Sequence, residues 1–456
     1  MTVRAEHENK DISISEPQSV CSFLSSLGID PCELELIAIE TGWQKQIPKK
    51  ITPGKLVAAL CEESVDGTPS YNELASAIDW ESGEAPSKQA VEERMNESCQ
   101  EMIRAVLQIA IAKRIATVAA GNDSGLFSSY DRVLVQDSTV IKLPAWLYDE
   151  FSGVSNGSSK VCNARIQAVY DLKSMRFVTF SIDSYSKNDL KAAPELEIRK
   201  GDLVLRDRGY LTMDEIKRHM VIGADFIYWH KTGNVYLDIN TGEPINLAKT
   251  LRQNKGHLDC EVILNDKDSR TRVRLLAASV DQATAEQRRR KAKKETRGHN
   301  PSRAVLELMN WTVFITNIGK ETGFPKLLDI YGLRWRIEVI FKAWKSNLNF
   351  HVIHRVSELE LRICLTASLV MITVGIGHLH QLCHAKMFAL TGRDLSLLKF
   401  SRYLGKKPIR MERICDWLRA GARADDPVCQ SLRKYCCYDK RKRENYQEKL
   451  RRITTP

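Results

Sequence analysis

Three carboxylates in this chain are placed so that strands and a helix could deliver them together. Asp137 closes the apolar run Val133-Leu-Val-Gln-Asp137, Asp207 closes Leu203-Val-Leu-Arg-Asp207, and Glu338 lies within Tyr331-Gly-Leu-Arg-Trp-Arg-Ile-Glu-Val-Ile-Phe-Lys-Ala-Trp-Lys345. An apolar strand that ends on aspartate is often no more than a turn or a helix cap. Two of them, with a helical glutamate downstream, suggest metal chemistry instead. Brought to one sheet edge, Asp137, Asp207 and Glu338 are hard oxygen ligands suited to two Mg²⁺ (or Mn²⁺) ions, with water and substrate phosphates filling the remaining positions. In such a site one ion activates the attacking water or hydroxyl and the other stabilises the leaving oxygen.

The segment from Tyr331 to Lys345 reads as one helix. At 100° per residue from Tyr331, Arg334 falls at roughly −60°, Glu338 at about −20°, Lys342 at about +20° and Lys345 at about −40°. Leu333, Ile337, Ile340, Phe341, Trp344 and Leu348 occupy the opposite face and are expected to pack on a core. A plainer reading is a solvated helix laced by Arg334–Glu338 and Glu338–Lys342 pairs. Beside a metal site, the same cations would hold a DNA strand over the ions, and the Tyr331 hydroxyl would donate to a phosphate.

Composition favours a polyanionic partner. The net charge is +11, yet residues 1–130 hold 11 Lys/Arg against 20 Asp/Glu, which leaves 57 against 37 for the rest. The basic surplus therefore belongs to the later regions, as nucleic-acid binding would require. Twelve cysteines without a CxxC pair, and a first segment that does not read as a secretory signal, suggest reduced cytosolic thiols rather than a disulfide framework. His378, His380, Cys383 and His384 match no zinc spacing and read as structural. Ile363–Leu379 lacks charge over 17 residues, the lower edge for a membrane span, and is expected to be a buried helix, with no membrane partner. Neither GxxxxGK[ST] nor HExxH occurs, which removes phosphate-loop and zinc-protease chemistry.

These residues need a scaffold. Residues 1–130 read as a helical region, with helices over 19–27 and 33–40. A helix-turn-helix candidate follows: Ser70 and Glu73 form a capping box, a turn holds Gly83 and Pro86, and Ser87-Lys-Gln-Ala-Val-Glu-Glu-Arg94 opens the second helix. Strands are expected over Arg132–Gln136, Arg165–Asp171, Arg176–Ile182 and Asp202–Leu205, with a helical segment near Asp189–Arg199. That order indicates an α/β fold. Residues 230–310 read as a β-rich basic insertion, with strands at Val235–Ile239, Asp259–Leu264 and Arg272–Ser279 and the run Gln287-Arg-Arg-Arg-Lys-Ala-Lys-Lys-Glu-Thr-Arg297. Sheet pattern resumes at Trp311–Thr316, so the core divides into residues 131–229 and 311–351, and residues 352–456 form a helical region of possible subunit contacts. A last basic cluster, Lys440–Arg443 with Lys449, Arg451 and Arg452, resembles a phosphate-binding tail.

Tyr331-x2-Arg334-x3-Glu338-x6-Lys345, Asp207-Arg-Gly-Tyr210 and Asp137-Ser-Thr together resemble the motifs of the bacterial DDE transposases of the insertion sequence 4 group, whose signature is YREK. The resemblance runs from about residue 130 to about residue 350. It implies a ribonuclease H-like catalytic core interrupted by a β-rich insertion, with Asp137, Asp207 and Glu338 as catalytic metal ligands. It also implies cut-and-paste transposition of an insertion sequence through nicking, hairpin formation and opening, and strand transfer. The partners it implies are terminal inverted repeats and target DNA, with a homodimer in the DNA complex and a nucleoid-associated location. Trp311 stands where the family carries a base-stacking tryptophan, and Lys342 matches a second basic position. Two rival readings are a non-catalytic DNA-binding regulator and a metal-dependent nuclease derived from a transposase. The intact carboxylate trio argues against the first, and the extra regions exceed what the second requires.

Overall fold

The computed structural model describes residues 18–48, 50–83, 85–112, 125–153, 161–186, 196–266, 269–295, 300–347, 349, 351–405, 409–439 and 444–454. The helix expected near Asp189–Arg199 falls largely outside these residues, as do Lys440–Arg443, Arg297 and Leu348. Two units emerge. One comprises 1–116, 142–150 and 340–439, and the other 117–141, 151–339 and 440–456.

The first unit is helical. Its helices Gln18–Leu27 and Pro31–Glu40 lie where the sequence places them, and Ser70 caps the helix Tyr71–Ser82 reciprocally with Glu73. Gly83 closes that helix in the left-handed conformation at φ 65°, which favours glycine. The second helix of the pair, Lys88–Arg94, is short, with Ser87 as its cap. Helix Glu358–Ile372 packs on Glu97–Ala112 and Pro53–Glu63 and continues through a π-helical turn, Thr373–Leu379, into His380–Thr391. This continuous run is long and apolar enough to cross a membrane, but 78% of its apolar window is buried inside the protein. It is a core helix by its packing. His384 pairs with Asp394 at 3.2 Å, and none of the twelve cysteines, all among the described residues, is in a disulfide.

The second unit is built on one nine-stranded sheet: β1 (Arg132–Lys142), β2 (Asn163–Asp171), β3 (Arg176–Ser184), β4 (Asp202–Arg206), β5 (Asp225–Trp229), β6 (Val235–Asp238), β7 (Leu258–Asp266), β8 (Ser269–Ser279) and β9 (Trp311–Thr316). Their order is β3-β2-β1-β4-β5-β9-β8-β7-β6. Strands β1, β4 and β5 run parallel, and β9 returns antiparallel to β5. The inner strand β4 is buried along its whole length, as Leu203-Val-Leu205 demands of a strand covered on both faces. Strand β5 was not expected from the sequence, and the strands of the 230–310 region continue the sheet through β9.

The helix expected over Tyr331–Lys345 is two helices. Phe324–Gly332, here the approach helix, is followed by Trp335–Asn347, the glutamate helix. Between them the N–H groups of Leu333, Arg334, Arg336 and Ile337 bond three residues back, to Ile330, Tyr331, Leu333 and Arg334, which tightens the turn. Gly332 is a weak helix former at this spot. A methyl group there would also run into the Lys449 ammonium. The apolar face is buried as expected: Leu333, Ile337, Ile340, Phe341 and Trp344 all lie in the core.

Candidate active site

Parallel pairing of β1 with β4 ends at the rung Gln136↔Arg206. Asp137 and Asp207 are the next residues on each strand, so both carboxylates leave the same edge of the sheet, where ligands gather in open α/β sheets. Asp137 does not end its strand, however. β1 continues to Lys142, because Thr139, Val140 and Ile141 keep the extended conformation that β-branched residues favour. Glu338 occupies the first turn of the glutamate helix, where a carboxylate suits the positive end of the dipole.

Asp137, Asp207 and Glu338 line one cleft of about 480 Å³, and Arg334 lies among them. Its Nη1 donates to Asp137 Oδ2 at 3.2 Å and its Nη2 to Glu338 Oε1 at 2.6 Å. The guanidinium thus bridges the two carboxylates. Among the described residues no three His, Cys, Asp or Glu side chains are close enough to chelate one ion as they stand. The donors nevertheless suit a hard cation. Burial pushes the Asp137 carboxyl up to about 6, against the pull of Arg334 and of the Ser138 N–H, and the nearby Glu338 and Asp207 charges add to the rise. A buried carboxylate with two further acids beside it is a setting in which a divalent ion binds.

Tyr331 is not presented to solvent. It is buried, with its ring 5.0 Å from that of Phe314 and 5.9 Å from that of Trp229, and its hydroxyl donates to the Arg206 carbonyl at 3.3 Å. Its ring lies 5.7 Å from the Arg334 guanidinium, and in this arrangement the hydroxyl ties β4 to the approach helix. Tyr331→Phe is expected to cost about 1 kcal/mol of stability. It should also leave the salt dependence of DNA binding unchanged, and a shallower slope would return the hydroxyl to a phosphate.

Trp311 lines the cleft but is held in the sheet at 8% exposure. Arg288 Nη1 donates to its carbonyl at 3.0 Å. Its indole Nε1 lies 3.0 Å from where a Gly256 methyl would stand, so Gly256, at φ +79°, leaves room for the ring as well as for the turn. Lys342 is exposed and Lys345 half-buried, both on the part of the glutamate helix that belongs to the first unit; burial lowers the Lys345 pKa.

Several cleft residues carry no motif. Trp335 lines it with 60% of its surface exposed, and Trp229, His230, Arg288 and Lys291 also line it. Helix Gln282–Glu295 holds most of the basic run, yet Arg288 and Arg289 are spent on docking it. Arg288 reaches Thr312 Oγ1 at 3.0 Å and covers the Trp229 ring at 5.1 Å, while Arg289 takes the Leu306 carbonyl and Asn310. A tryptophan between two arginines, Arg334-Trp335-Arg336, was the one sequence signal for an exposed ring at the site.

A family profile described as the transposase DDE domain matches residues 129–370, more than half of the chain. The chain belongs to this DDE transposase family. The transposase for insertion sequence element IS231E of Bacillus thuringiensis subsp. finitimus is 24% identical over 403 residues, covering 83% of this chain and 81% of that protein. The IS1151 transposase of Clostridium perfringens is 24% identical over 323 residues, covering 65% and 67%. Among solved structures, a chain of the piggyBac transposase synaptic complex with hairpin DNA aligns over 92% of this chain and 87% of its own, at a TM-score of 0.41 and 11% identity. The DDE domain match spans β1 to β9, the approach helix and the glutamate helix, and so takes in the whole carboxylate cleft.

Proposed function

We propose that this DDE transposase moves an insertion sequence by cut-and-paste transposition, with Asp137, Asp207 and Glu338 as the catalytic metal ligands. The observation that carries the reading is the convergence of the three side chains on one cleft, two of them beside the last rung of parallel strands. The same sheet supports a ribonuclease H-like core, and the motif spacing supports membership of the insertion sequence 4 group with its YREK signature. Two Mg²⁺ or Mn²⁺ ions would supply activation of the attacking oxygen and stabilisation of the leaving one.

The protein's own groups prepare that chemistry. Arg334 offsets part of the charge of Asp137 and Glu338 and is positioned to turn to a DNA phosphate once they are otherwise paired. Ser138 N–H holds one Asp137 oxygen at 2.8 Å and so fixes the direction of the other. Lys342 and Lys345, one and two turns beyond Glu338, would contact the backbone of the bound strand. Replacing either with Ala should weaken binding to any DNA and make the salt dependence shallower by about one unit of slope. Unchanged affinity and slope would make them ordinary helix-surface cations.

A single site that acts on both strands through a hairpin needs the terminal nucleotides distorted, with an aromatic ring to receive an unstacked base. Trp335 suits this task better than Trp311, because its ring is exposed in the cleft while that of Trp311 is packed. Trp335→Ala should allow first-strand nicking and reduce hairpin formation on an end-labelled substrate, whereas Trp311→Ala should destabilise the fold by about 3–5 kcal/mol. Equal loss of both steps in Trp335→Ala would remove the wedge. Recognition of inverted repeats by the helical region 1–130, a homodimer in the DNA complex, and location at the nucleoid complete the proposal. Incubation of the purified protein with Mg²⁺ and DNA carrying the inverted repeats of its own element tests it: cleavage at the repeat ends is expected, and binding without cleavage would favour a regulator.

A further inference from the structure

Arg336 lies two residues from both Arg334 and Glu338, about 200° around the helix from each, and so faces away from the cleft. It is 1% exposed, and its guanidinium stands 4.5 Å from the centre of the Tyr446 ring. Tyr446 opens the helix Tyr446–Thr454, which buries Gln447, Leu450 and Ile453. On the same helix Lys449 and Arg452 converge on Asp329 of the approach helix. Arg452 Nη1 lies 2.6 Å and Lys449 Nζ 3.6 Å from its carboxylate, and Arg452 also bonds Glu444 through Nε at 2.8 Å. Lys449 further occupies the space beside Gly332. The helix therefore grips the chain on both sides of the Leu333–Arg334 turn, at Asp329 and Gly332 before it and at Arg336 after it.

We propose that Tyr446, Lys449 and Arg452 are positioning residues, and that their helix is a strut fixing the turn that carries Arg334 and aims Glu338 into the cleft. The importance of that aim rests on the metal-ligand reading above; the strut itself does not. Lys449 and Arg452, which read in sequence as part of a phosphate-binding tail, are thereby assigned to bracing within the protein. Arg452 and Asp329 are half-exposed, and such pairs add little to global stability. Placement of a ligand is a stricter demand, because a site loosened by its supporting shell loses function while the fold survives.

Hydrogen exchange of the full-length protein in chelator tests the strut without metal or activity. Lys449→Ala/Arg452→Ala and Tyr446→Ala should speed exchange of the amides of residues 333–338 and leave β9 unchanged, while Tyr446→Phe, which keeps the ring over Arg336, should match wild type. In a Mn²⁺ titration followed by electron paramagnetic resonance, the first two variants should bind about tenfold more weakly. Should Tyr446→Ala fail to fold, the lysine–arginine double variant carries the test. Unchanged exchange at 333–338, with a salt slope of DNA binding shallower by about two, would overturn the strut and make Lys449 and Arg452 phosphate contacts. Wild-type Mn²⁺ affinity that survives Asp137→Asn/Glu338→Gln would instead refute the metal-ligand reading, and the exchange result would still decide the strut.

Discussion

Glu338→Gln is expected to lower DNA strand cleavage by about 10²–10³-fold or more, while affinity for uncleaved DNA stays close to wild type. Glutamine keeps the shape of the side chain and an oxygen that can accept from Arg334 Nη2, which lies 2.6 Å from the carboxylate. It removes the negative charge that a divalent ion needs. The fold should tolerate the change, because a partly exposed pair one helical turn apart contributes only about 0.3–0.5 kcal/mol. Cleavage and binding assays on the same preparation separate the two effects. Equal loss of both would assign Glu338 a structural role.

Asp137→Asn should abolish cleavage as well, yet make the metal-free protein more stable at neutral pH. Burial raises the Asp137 carboxyl from its ordinary value of 3.8 to about 6 in the folded protein. Between those pH values the native state binds more protons than the unfolded chain, so stability falls as pH rises through this window and the full cost is present above it. A shift of this size corresponds to a cost of about 3 kcal/mol at pH 7, from which the weaker hold of asparagine on Arg334 subtracts. A neutral asparagine avoids that cost. Chemical denaturation in chelator should find Asp137→Asn more stable by about 2 kcal/mol at pH 7–8, with the gap closing below about pH 4. A variant less stable than wild type at pH 7 would mean that the Arg334 pair outweighs the burial of the charge. Affinity of the wild type for Mn²⁺ should fall as pH drops below about 6, since the carboxylate must be ionised to bind.

Much of the scaffold was legible because apolar alternation and capping act locally. Ser70 and Glu73 cap their helix as their spacing requires, and the residues of β2, β3, β4, β7, β8 and β9 show the composition of strands. The chain was less informative where distant residues decide. Lys449, more than a hundred residues away, fills the space beside Gly332, and Tyr331 is buried against the Arg206 carbonyl and Phe314. Helical periodicity places Tyr331 beside Arg334, where its ring lies 5.7 Å from the guanidinium, but does not show that the side chain is buried. β5 is a five-residue strand, Asp225-Phe-Ile-Tyr-Trp229, too short for alternation to distinguish from a buried turn. That Asp137, Asp207 and Glu338 could share a cleft was legible from motif spacing, whereas Arg288 reads as a solvated cation until the Trp229 ring and the Thr312 hydroxyl are seen beside it.

Anomalous scattering from crystals grown with Mn²⁺ and DNA tests the central claim most directly. Two peaks about 3.5–4 Å apart are expected in the cleft, within coordination distance of Asp137, Asp207 and Glu338, with Arg334 withdrawn from at least one of its two carboxylates. Saturating Mn²⁺ that leaves the cleft without a peak, and Arg334 still bridging Asp137 and Glu338, would contradict it.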